Sequence, residues 1–125
     1  MNNYLTQAQK LFTLSRKELN NAKYANDNEL ARDASGKAWI ATTDAFRGFL
    51  FSLGLKEKEL PQSDQDRTIK IAQYGNEKMR QLYGRIKGDI HQDAYYEGKI
   101  NYTILDEAFK DVKKFIHRCQ FGIAK

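Results

Sequence analysis

Apolar positions along the chain recur with the three-and-four rhythm of an α-helix, and no stretch alternates as a strand would. From about Asn3 to Ala25, Leu5, Ala8, Leu11/Phe12, Ser15, Leu19, Ala22 and Ala25 form one apolar stripe, which predicts an amphipathic first helix. Asn26-Asp27-Asn28 then supplies a turn and a new N-cap, with Glu29 suited to the first turn that follows. From Glu29 to Leu53, Ala31, Ala34, Ala38, Ala41, Ala45, Gly48 and Ser52 make a heptad seam of small side chains. Leu30, Trp39, Phe46, Phe49 and Leu50 flank it. Such a seam lets another helix approach closely, either within a bundle or across a tight dimer interface. A small domain must bury its own helices first, which favours packing within the chain.

Gly54 suits a helix C-terminus, and Lys56 to Gln62, with Pro61 inside it, reads as the one linker. Ser63-Asp64-Gln65-Asp66 opens a third helix with apolar positions Ile69, Ala72, Met79, Leu82/Tyr83, Ile86 and Ile90. Gly75, Gly84 and Gly88 weaken its interior by about 1 kcal/mol each relative to alanine, and a kink or break is expected near Gly84–Gly88. A short helical turn follows around Asp89–Glu97. A last helix begins at Thr103, its stripe formed by Ile104/Leu105, Ala108/Phe109, Val112, Phe115/Ile116 and Cys119. The tail, about 120–125, is expected to fray. The pattern predicts an all-α fold: a single 1–125 domain forming an up-and-down four-helix bundle with an additional short helical turn.

Composition supports this and removes several classes. At 41% hydrophobic and 12% aromatic residues, the chain has enough apolar material for a core. A single proline in 125 residues favours long helices. No window reaches the roughly 18 apolar residues of a membrane helix, and the N-terminus lacks a basic-then-apolar signal pattern. Cys119 is the only cysteine, so an internal disulfide is excluded and a cytoplasmic location is expected. The net charge of +5 is spread along the chain: 9 basic and 7 acidic residues precede Gln62, and 12 and 9 follow. That distribution permits an RNA partner without demanding one.

Candidate chemistry is sparse. His91, His117 and Cys119 do not share the three- or four-residue spacing of helical metal ligands, so neither a metal nor another cofactor is expected. Gly84-Arg-Ile-Lys-Gly88 has neither the P-loop nor the dinucleotide spacing. Cys119 sits within an apolar stripe and reads as an inert buried thiol. What remains is the run from Lys78 to His91, with Arg80, Arg85 and Lys87 inside it and Tyr95, Tyr96 and Glu97 just beyond. Arg85 and His91 lie six residues apart, about 120° around a regular helix, and would meet in one groove if the chain bends at Gly88. Arginine can stabilise a developing phosphorane charge and histidine can move a proton near neutral pH. His91 as a packing or capping residue fits the sequence as well.

An arginine followed four to six residues later by a histidine, late in a helical bundle, resembles the signature of the HEPN superfamily. Arg85-Ile-Lys-Gly-Asp-Ile-His91 has five intervening residues. The layout also resembles small prokaryotic HEPN-like proteins in the Ala-rich second helix with Lys37-Ala-Trp39, the run His91–Gly98, and the last helix after Asn101-Tyr-Thr103. The likeness runs from about Asn3 to Arg118 and is one of layout, with few motifs matched residue by residue. It implies a homodimer in one of two branches. Some members are metal-independent endoribonucleases whose Arg–His pairs meet across a two-fold groove. Others are non-catalytic, binding nucleotides or supporting a nucleotidyltransferase partner.

Three readings stay open on the sequence. The first is a non-catalytic nucleotide- or nucleic-acid-binding or accessory module, using Lys78, Lys87, Tyr95, Tyr96 and Glu97 around His91. The second is a ribonuclease with Arg85 as phosphate stabiliser and His91 as acid or base. The third is a purely structural protein-interaction bundle.

Overall fold

The computed structural model describes residues 2–121, and every regular element among them is helical. Helices α1 (Asn3–Ala25) and α2 (Asn28–Ser52) form an antiparallel hairpin. Its turn is made as the sequence predicts. Asn26 adopts the left-handed conformation at φ 52°, and the Asp27 N–H donates to the Ala22 carbonyl at 2.9 Å. The Asp27 side chain then accepts from the Leu30 N–H at 3.1 Å, capping α2.

The alanine seam is consumed inside the chain. Ala31, Ala34, Ala38, Ala41 and Ala45 are fully covered, and Ser52 at the end of the heptad series is exposed. Gly48 marks a close crossing, because a Cβ there would lie 2.6 Å from Leu5 Cγ. Asn2 fastens the same point: its Oδ1 accepts from the Leu5 N–H, and its Nδ2 donates to the Gly48 carbonyl at 2.9 Å. A seam covered in this way leaves no face for a tight dimer.

The third helix differs from expectation. It is two helices, α3 (Asp64–Tyr74) and α4 (Glu77–Ile86), and the break falls at Gly75 rather than at Gly84–Gly88. Asn76 decides this: its side chain accepts from the Met79 N–H at 2.9 Å and starts a new helix. The break resets the helical phase. Ile71 is therefore the buried position of α3, whereas Ile69 is half exposed and Ala72 faces solvent. Past Gly84 the chain continues without interruption and widens into a ten-residue π-helix, Lys87–Tyr96, where a short turn was expected. Helix α5 (Tyr102–Phe121) follows, with the Asn101 side chain accepting from the Ile104 N–H. Five α-helices and a π-helix thus replace the expected four helices and a turn. Residues 120 and 121 continue α5, and residues 122–125 lie outside the described residues.

The linker contains one 3₁₀ turn, Glu57–Glu59, before Leu60 and Pro61 tuck into the core. The buried apolar side chains form one contiguous cluster. At its centre Phe46 of α2 meets Tyr83 of α4 and Phe115 of α5 with ring centroids 6.5 and 6.3 Å apart. Gly48→Val should test the close crossing: overpacking against Leu5 is expected to lower stability by about 1–3 kcal/mol in urea unfolding.

Candidate functional site

One face of α2 receives the π-helix. Arg32, Gly36 and Trp39 stand at i, i+4 and i+7, so they line up along the helix. Arg32 donates from Nε to the Tyr95 carbonyl at 2.6 Å and from Nη2 to the Tyr96 carbonyl at 2.8 Å. These carbonyls end the π-helix and would otherwise lack helical partners. Gly36 makes room for the Tyr95 ring, whose Cε1 lies 2.7 Å from where a Cβ would be. Trp39 stacks on His91 with centroids 4.4 Å apart and planes 14° from parallel. Gly98, at φ 67°, then turns the chain away beside Arg32.

Helix α3 closes over the stacked pair. Asp64 Oδ2 is 3.5 Å from His91 Nε2, and Arg67 pairs with Asp64 while its guanidinium lies 5.8 Å from the Trp39 ring centroid. Tyr96 meets the edge of the His91 ring at 4.8 Å. His91 is therefore buried, being 8% exposed. Burial pushes its pKa below the ordinary histidine value, with the Asp64 carboxylate pulling the other way and Arg67 and Lys87 adding to the depression. Burial pushes the Asp64 carboxyl up, but the hydrogen bond and charge of Arg67, with the charge of Lys87, together outweigh it and lower its pKa. Three buried polar atoms of this cluster, His91 Nδ1, Tyr83 OH and Arg67 Nε, have no hydrogen-bond partner among the described residues.

Arg85 belongs elsewhere. Its Nε and Nη2 donate to the two carboxylate oxygens of Asp111 on α5 at 3.1 and 3.2 Å. His91 instead contacts α2 and α3, so the structure does not bring Arg85 and His91 together within one chain. The widening at Lys87 changes the helical repeat between them, and the bend at Gly88 that would join them does not form.

The other predicted residues scatter around this centre. Lys87 is half-buried and adds positive charge close to Asp64 and His91. Tyr95 and Tyr96 are 41% and 64% exposed, their rings edge to face at 5.7 Å. Glu97 pairs with Lys99 at 3.0 Å in solvent. Lys78 sits half-buried in the first turn of α4, with no ion pair among the described residues. Sequence reasoning did not select Asp64, Arg67 and Arg32. Asp64 and Arg67 are recognisable as an i,i+3 pair opening a helix, but nothing local says that they close over residue 91.

Among the described residues no group of three or more His, Cys, Asp or Glu side chains is placed to hold a metal ion. None of their helices is long and apolar enough to cross a membrane. Cys119 is buried, and burial raises its thiol pKa well above the ordinary value, which disfavours the reactive thiolate. The chain matches no protein-family model, no curated protein and no solved structure.

Because burial favours neutral His91, the unfolded chain takes up the proton first as pH falls. The stability that depends on neutral His91 is whole above about pH 6.5 and is lost below it. The thermal midpoint should therefore drop between about pH 7 and pH 5. It should drop less in His91→Phe, which keeps a stacking ring and cannot titrate.

Proposed function

We propose that the chain is a non-catalytic nucleotide-binding or accessory module of HEPN-like layout, working in the cytoplasm. One observation carries this reading: both residues of the Arg–His signature are already committed to internal partners. His91 is enclosed between Trp39, Tyr96 and Asp64, and Arg85 is held by Asp111. For the two to act on one phosphodiester, both would have to leave these partners.

The binding side of the proposal rests on what surrounds the buried ring. Tyr96 presents an exposed aromatic face on which a base can stack, and Lys87 supplies positive charge nearby for a phosphate. The homodimer implied by the resemblance, and an RNA or nucleotidyltransferase partner, belong to the same proposal. The alanine seam of α2 would not be the dimer interface, since it is covered within the chain. Light scattering tests the dimer, and a monomer at high concentration would remove it.

Two measurements test the function. A mixed RNA pool incubated with the protein in chelator should stay intact; cleavage abolished by His91→Ala or Arg85→Ala would establish the ribonuclease reading instead. Adenosine monophosphate, used as probe at low salt, should bind saturably. Tyr96→Ala should weaken it about fivefold or more, as expected for loss of one stacked base. Binding that Tyr96→Ala leaves unchanged would remove the tyrosine edge as the site.

A further inference from the structure

The even spread of charge along the sequence is not kept in space. Between Lys110 and Arg118, α5 carries four Lys or Arg residues against one acid, Asp111, and Arg85 already holds that acid. The outer face of α5 packs beside α1, and two adjoining cavities of about 360 and 270 Å³ run between these helices. Arg16 of α1 and Lys113 of α5 line both cavities, so the two cavities share this pair of cations. Neither forms an ion pair among the described residues; Arg16 lies 5.8 Å from the Phe12 ring centroid. Lys110 adds a third cation, paired at 3.5 Å with Glu107, an ion pair that is open to solvent. The one carboxylate in the lining, Asp106, is paired with Lys23 at 2.9 Å.

The groove is long for a single anion. From Gln9 to Asn20 its α1 wall extends about 17 Å at roughly 1.5 Å per residue, room for several consecutive backbone phosphates. Its floor argues against an amphipathic partner helix or an inserting lipid surface. Phe12, Leu19, Phe109 and Ile116 are each no more than 7% exposed and so offer no socket for an apolar anchor. Accessible instead are cationic heads and amides, with His117 and the exposed Phe121 in ring contact at 4.6 Å at one end. Cations along a backbone track with an aromatic platform suit a single-stranded nucleic acid.

We infer that the α1/α5 groove binds the backbone of a single-stranded polynucleotide, with phosphates between Arg16 and Lys113 and along Lys110. The inference shares the ligand class of the proposed function and rests on that reading only to this extent; no groove residue belongs to the tyrosine edge. Specificity for sequence is not expected, because the contacts are to phosphates and base faces.

Fluorescence anisotropy of the full chain with labelled ten-nucleotide uridine and thymidine strands, in low salt, tests it. Saturable binding of both strands is expected, weakened at least tenfold by R16E/K113E. The same change of charge in K56E/K58E on the linker turn should alter it less than threefold. The neutral pair R16Q/K113Q should weaken binding about fivefold or more, which keeps the claim testable if charge reversal harms folding. The slope of log affinity against log salt should shrink by about 1.4 when both contacts are lost, at roughly 0.7 per phosphate. The groove is overturned if the wild type does not bind either strand, if both charge reversals weaken binding equally, or if polyglutamate competes as well as the strands. Loss of strand binding in Tyr96→Ala but not in R16E/K113E would also overturn the groove while leaving the nucleotide-binding reading standing. Adenosine monophosphate binding without strand binding would separate the two in the same way.

Discussion

Two helices can approach closely only where neither puts a bulky side chain between them, and α2 meets this constraint on two of its faces. Toward α1 it presents the covered alanines and Gly48, where Leu5 occupies the space a Cβ would need. Toward the π-helix it presents Gly36, where the Tyr95 ring does the same. Because α2 is thin at these places, it can be shared by α1, α5 and the π-helix at once. Its large side chains, Trp39, Phe46 and Phe49, then fill the spaces beside the close crossings.

The π-helix gains its order from this arrangement. A wide helix of ten residues is an uncommon geometry, and its local sequence includes Gly88 and several polar residues. What holds it is tertiary: Arg32 on the terminal carbonyls, Trp39 on His91, and Asp64 and Arg67 over the ring from α3. The same contacts that order the segment enclose the histidine and favour its neutral form. Structural order and acid–base availability are therefore opposed at this residue, and the arrangement favours order.

Charge shows the reverse relation between chain and fold. Basic residues that look evenly dispersed in the sequence collect on the α1/α5 surface, where Asp111 is paired with Arg85, Asp106 with Lys23 and Glu107 with Lys110, while Arg16 and Lys113 have no ion-pair partner among the described residues. A charge count by segment averages over helix faces; a patch depends on which faces meet.

How much was legible follows the range of the forces involved. Helix α1, helix α2 and the turn between them were readable because apolar period, the Asn26–Asp27 turn and the caps all act within a few residues. The break at Gly75–Asn76 carried a local cap signal as well, but the apolar pattern continued across it and hid the change of phase that buries Ile71. Only the tertiary structure decided that the alanine seam closes on α1, that Lys87–Tyr96 widens into a π-helix, and that Arg85 turns to Asp111 while His91 stacks on Trp39. Each of these depends on a partner at least 26 residues away along the chain or on another helix. Side-chain type and spacing determine helices, whereas the direction in which a side chain is spent depends on what the fold places opposite it.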